Sequence, residues 1–295
     1  MSKLIDSGGY GCIYYPGIDC SGKIIKEPMV SKIVDTYAAQ HELNIAKLVK
    51  QINNYKNHFL PIENYCNVHG QLPVKKCAVL TKYSKFKILY VPYKEKRRIT
   101  LSFKDLYHSL LQSVQLLVQN HIVHFDIKRE NIINADKVYL LDFGISFSMK
   151  SIFKNLLYVF YTYHIKYFQW PLEVHILSYF LNKGPLTKSV IEMICKDFVK
   201  YNVIFDNTTT EFQDEYTKKS IEYYSKLLHL SSRDIVKTCL QGWKTWDNYA
   251  LMIYLYEEGY SKEITPFFMK TIHYLPSERP SIEQCLAATR STSLA

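Results

Sequence analysis

Strand-like alternation of apolar and polar positions fills about the first ninety residues, and helical spacing takes over afterwards. Residues 3–5 and 12–15 read as short strands around a glycine turn at 7–11. A Pro/Gly/Asp turn follows at 16–22, and 24–34 is apolar enough for one or two further strands. Asp35 is placed to cap a helix that runs to Lys50, with Leu43, Ile45, Ala46, Leu48 and Val49 near helical spacing. Residues 78–80 and 87–91 read as strands.

After Thr100 the pattern changes. Phe103, Leu106, Leu110, Val114, Leu117 and Val118 form the apolar stripe of an amphipathic helix over 102–120. Two short strands flank a turn near 131–141, and helical patterns dominate from there, with helices expected over 189–201 and 217–230. No internal repeat or low-complexity linker interrupts the chain. The pattern predicts an α+β protein, strand-rich with one helix over about the first ninety residues and mainly helical after Thr100.

Composition narrows the class. Apolar residues make up 47% and charged residues 22%, which is globular. The formal charge of +10 favours anionic partners, but no run of four basic residues occurs, and a lysine-rich solvated surface accounts for the balance. No aromatic-basic platform or groove-reading helix is present, so no stable nucleic-acid partner is expected. The seven cysteines are odd in number and widely spaced, with no CxxC pair, which argues against a disulfide framework and a zinc knuckle. The first residues lack the apolar core of a signal peptide, and no apolar stretch approaches the length of a membrane span. A reducing, cytoplasmic setting is the expectation.

Four stretches carry chemistry. Gly8, Gly9 and Gly11, with Tyr10 at the tip and Ile13 beyond, fit a phosphate-binding loop, because glycine lets backbone N–H groups approach phosphate oxygens. A plain hairpin turn accounts for the same residues. Lys32, late on a strand, would reach phosphates if a carboxylate held it, and Glu42 on the next helix is the natural partner. Lys26 is the competing lysine. HFDIKREN, at 124–131, places a base, a cation and an amide at phosphoryl-transfer spacing. Asp126 would accept a hydroxyl proton, Lys128 would neutralise the transferred phosphoryl group, and Asn131 would ligate a metal ion. LLDFG, at 140–144, adds Asp142 as a second metal ligand at a strand end.

This series of motifs resembles the eukaryotic-type protein kinases over nearly the whole chain. Beyond the stretches above, the resemblance takes in Pro171-Leu-Glu173, Asp247 and Arg279. The texture is similar to Ser/Thr protein kinases of large nucleocytoplasmic DNA viruses. The resemblance implies a bilobal α+β protein-kinase-like fold, with a small antiparallel β lobe carrying one helix at 1–93 and a larger, mainly helical lobe at 94–295, together with ATP and Mg²⁺ (or Mn²⁺), a protein substrate, and a place in host cytoplasm or virion. It implies a Ser/Thr acceptor, since Lys128 stands two residues after Asp126. It further implies a buried Glu173–Arg279 ion pair and an Asp247 that accepts N–H bonds from the catalytic loop.

The chain also departs from that family. Phe125 stands where the family has an Arg that can pair with a phosphorylated activation segment, so activity without such phosphorylation is expected. Pro92 falls at the expected interlobe hinge, where its carbonyl would face adenine and the Lys94 N–H would supply the donor. Residues 146–170 are unusually apolar and are expected to pack against a helical insertion at about 183–240. Two other readings are a small-molecule kinase and a non-catalytic pseudokinase scaffold. The first class lacks the Pro-x-Glu segment and the late Arg-Pro. The second usually loses Lys32, Asp126 or Asp142, and all three are present here.

Overall fold

In strand β3 (Met29–Asp35) successive side chains point to opposite faces, so Ser31 and Ile33 share one face and Lys32 and Val34 the other. That alternation organises the first of two compact units into which the chain divides, Met1–Thr100 with Asn131–Ser146. The second unit is Leu101–Glu130 with Phe147–Ala295. The structure, a computed structural model, describes residues 2–8, 11–68, 77, 85–96 and 101–290. The protein is α+β, with an antiparallel sheet in its N-terminal part and a mostly helical C-terminal part.

The first unit is built on a five-stranded antiparallel sheet. Its other strands are β1 (Lys3–Gly8), β2 (Gly11–Tyr15), β5 (Asn64–Asn67) and β6 (Phe86–Pro92), in the order β1-β2-β3-β6-β5. Ile33 joins Cys12, Tyr14 and Ile88 in one core cluster, while Val34 and Leu89 pack on the opposite face against Ala39, Leu43 and Ala46. Those last three belong to helix α1 (Thr36–Lys50), whose N-cap is the expected Asp35, accepting from the amides of Tyr37 and Ala38. A smaller sheet of β4 (Phe59–Leu60), β9 (Val138–Leu141) and β8 (Ile132–Asn134) completes the unit. The strand expected over 78–80 lies outside the described residues.

The expectation of unpaired cysteines is overturned in this unit. Cys12 is bonded to Cys77 and Cys20 to Cys66, with Cα atoms 5.8 and 6.1 Å apart. The partners are 65 and 46 residues apart in sequence, a distance at which spacing alone does not reveal that they meet. Cys195, Cys239 and Cys285 are free and buried.

In the second unit, helix α2 (Phe103–Gln119) begins at its Ser102 cap and buries the expected Phe103, Leu106, Leu110, Val114 and Leu117, while Val118 is only half-buried. The short strands β7 (Ile122–Val123) and β10 (Phe147–Ser148) pair, and α3 (Leu156–Val159) and α4 (Leu172–Lys183) follow. Next come α5 (Lys188–Tyr201), α6 (Thr210–Ser225), α7 (Ser232–Leu240), α8 (Trp246–Glu257), α9 (Pro266–Met269) and α10 (Ile282–Arg290). Every residue from Trp246 to Leu255 is buried, the polar Asp247 and Asn248 among them. Tyr107 of α2 donates to Asn248 of α8 at 2.6 Å, and His108 meets Thr289 of α10 at 2.8 Å.

Helix α6 starts at Thr210 rather than 217, because Thr209 caps a first turn too polar to show a buried stripe. The three helices α5 to α7 are tied into the unit's core: Tyr216 donates to the Ile272 carbonyl at 2.9 Å and Tyr224 to the Tyr274 carbonyl at 2.8 Å. The apolar stretch at 146–170 meets this insertion through Lys166 over the Tyr201 ring and through Tyr163 near Asp197. Phe147 and Phe160 turn instead to Phe125, while Phe153 and Leu157 stay exposed. No helix among the described residues is long and apolar enough to cross a membrane.

Candidate functional site

Lys32 lies on the α1 side of its sheet, and Glu42 lies on the face of α1 that also carries Ala39 and Ala46. The two are thereby aimed at each other. Lys32 Nζ sits 3.0 Å from Glu42 Oε2 and 2.6 Å from Asp142 Oδ1. Burial alone would lower the pKa of the Lys32 ammonium, but the Asp142 and Glu42 carboxylates outweigh it and hold it above its ordinary value. Burial likewise raises the Glu42 carboxyl, against the pull of Lys32. Lys26, the competing lysine, is exposed.

Asp142 follows β9 in a left-handed conformation, φ 62°. Its Oδ1 also accepts the Gly144 amide at 3.1 Å. A Cβ on Gly144 would meet that oxygen at 3.0 Å, so glycine permits the close turn. Phe143 is buried edge-on against Phe59, and His41 Nε2 donates to the Ser146 carbonyl at 2.8 Å, which ties α1 to the same turn. Ile13, Val30, Val91 and Leu141 close a cavity of about 40 Å³ beside the Lys32–Asp142 pair.

The remaining candidates of this unit are less concentrated. Gly8 and Gly11 face each other at the ends of β1 and β2. A Cβ at Gly11 would meet Val34 Cγ1 at 2.7 Å, so glycine there also serves packing. Gly9 and Tyr10 lie outside the described residues. Pro92 ends β6 opposite Met29, and Lys94 Nζ pairs with Asp136 at 3.0 Å. Asn131 is buried at the end of a short 3₁₀ turn.

Asp126 and Lys128 belong to the second unit, where Lys128 Nζ lies 2.9 Å from Asp126 Oδ1. The stretch before them is held from below. Asp247 accepts the His124 amide at 2.8 Å and the Phe125 amide at 3.0 Å, one on each carboxylate oxygen. Phe125 itself has φ 68°, in the left-handed region. Burial raises the Asp247 carboxyl, with the His124 ring and the two amides pulling the other way.

No protein-family model matches the chain, and no curated protein is significantly similar to it. The site therefore stands on its own geometry.

Two further features frame Asp126. Phe125 is buried in aromatic contacts with Trp170, Phe147, Phe160 and Trp246. The Tyr167 hydroxyl donates to Asp126 Oδ1, the same oxygen that Lys128 approaches. Sequence reasoning missed Tyr167, since nothing in its spacing sets it apart among 25 tyrosines. Below this region Glu173 and Arg279 form a two-pronged, fully buried pair at 2.6 and 2.8 Å, with the Trp246 indole donating to Glu173 at 2.9 Å.

Proposed function

We propose that the protein is an ATP-dependent protein kinase of the Ser/Thr type, with a bilobal kinase-like fold. The observation that carries this reading is the buried Lys32 held by both Glu42 and Asp142. Burying Lys32 and Glu42 is costly unless they serve each other or a ligand. A fixed ammonium beside a partly exposed carboxylate suits the phosphates of a nucleotide and a hard cation.

The roles then follow. Lys32, steadied by Glu42, would take the α and β phosphates of ATP. Asp142 and Asn131 offer oxygen donors that suit Mg²⁺, and would hold it where it neutralises phosphate charge. Among the described residues no three His, Cys, Asp or Glu side chains gather as a metal site, and one carboxylate with one amide is enough when phosphates and water complete the shell. Asp126 would take the proton of the attacking hydroxyl, and Lys128 would offset the charge of the phosphoryl group in flight. The two amide bonds to Asp247 would keep the Asp126 loop in place.

Incubation with Mg-ATP labelled at the γ-phosphate, using one basic and one acidic protein as acceptors, tests this. Acid hydrolysis of the product should release phosphoserine or phosphothreonine. Label on a small alcohol or aminoglycoside but on no protein would favour the small-molecule alternative.

A further inference from the structure

Asp126 Oδ1 already accepts two donors from its own unit, the Tyr167 hydroxyl and the Lys128 ammonium. Lys128 also lies over the Tyr167 ring, 5.9 Å from its centroid. The arrangement is built rather than incidental. The Tyr167 amide donates to the His164 carbonyl at 2.9 Å, and the Trp170 amide to the Tyr167 carbonyl at 3.1 Å. The Trp170 ring packs on Tyr167 with centroids 4.7 Å apart, and its indole N–H donates to the Phe125 carbonyl at 2.9 Å. The loop that presents Tyr167 is thus anchored beside the residue it caps. Burial, and then the Asp126 charge, hold the phenol well above its ordinary pKa, so it stays a donor.

We propose that Tyr167 is an internal occupant of the phosphoacceptor position, with which the hydroxyl of a protein substrate must compete. The inference rests on the phosphotransfer reading of Asp126. A general base receives its substrate hydroxyl at hydrogen-bond distance, and here a hydroxyl of the chain itself makes that bond. An acceptor hydroxyl reaches this oxygen of Asp126 only in the fraction of molecules where Tyr167 has swung away. Its apparent affinity falls by that fraction, and ATP affinity does not. Release needs no phosphate on the chain, in keeping with Phe125 in place of an arginine.

The test compares wild type with Tyr167→Phe and Tyr167→Leu, using the basic acceptor protein and Mg-ATP, after melting curves confirm folding. The expected result is a KM for the acceptor lowered at least about fivefold in both variants, with the KM for ATP unchanged. An unchanged acceptor KM, or a kcat that drops while the acceptor KM holds, would overturn the proposal and make Tyr167 a positioning residue for Asp126. Transfer by wild type keeps the kinase reading whatever the variants do. Absence of transfer from wild type and variants alike removes both.

Discussion

Trp170 lies nearly flat on Phe125, with ring centroids 4.7 Å apart and planes 22° from parallel, while its indole N–H donates to the Phe125 carbonyl. Stacking and hydrogen bond together fix the end of the 146–170 segment to the loop that carries Asp126. The aromatic pair makes this link without charge.

The first prediction concerns that lock. On the proposed reading, treatment with a broad phosphatase should leave phosphotransfer within about twofold of the untreated protein, because the Phe125–Trp170 contact holds the loop without charge. Trp170→Ala should cost about 3–5 kcal/mol of stability in urea unfolding, as for other large buried aromatics. Loss of most activity on dephosphorylation would contradict the account.

Glu173 and Arg279 supply the second. Both side chains are 1% exposed and joined by two bonds. Removing one partner leaves a bare buried charge, so Arg279→Ala should destabilise by about 3–5 kcal/mol. Glu173→Gln with Arg279→Met should recover much of that loss, measured by the same unfolding curves.

The disulfides give a third. Closing loops of 65 and 46 residues should contribute about 4 kcal/mol each on chain-entropy grounds. Dithiothreitol should therefore lower the melting temperature, and a Cys12→Ser, Cys20→Ser double variant should melt low with or without it. A melting temperature indifferent to reductant in wild type would refute the pairing.

A fourth follows from His175, fully buried on α4 between Trp170 and Phe198. Burial pushes its pKa down to about 3, while an unfolded histidine titrates near 6.5. Between those values the unfolded chain binds the extra proton, so stability rises with pH through that window. The contribution is present above about pH 6.5 and is lost as pH falls toward 3, at up to about 1.4 kcal/mol per unit. His175→Phe should flatten the stability profile of wild type between pH 4 and 6.5.

Much of this fold can be read locally. Asp35 caps α1 because a short carboxylate ahead of a helical stripe has one use, and the helix ends at Lys50 as the pattern requires. The Lys32–Glu42 pair is legible because strand alternation and helix spacing each choose one face. What escaped the reading is set by tertiary register. Cys12 meets Cys77, and Tyr167 meets Asp126, 41 residues away, through loops whose path no periodicity encodes. The start of α6 was hidden for the opposite reason: only Tyr216, Ser220 and Tyr224 of that helix are buried, too few to mark its first turn.

The most direct test of the central claim separates binding from chemistry at two residues. Purified wild type, Asp126→Asn and Asp142→Ala would each be followed for stabilisation by Mg-ATP and for transfer of labelled γ-phosphate to protein. The account predicts that Asp126→Asn keeps the Mg-ATP melting shift and loses transfer by a factor of about 10²–10⁴. Asp142→Ala should lose transfer along with the Mg²⁺-dependent part of the shift. Transfer by Asp126→Asn at the wild-type rate would contradict the account.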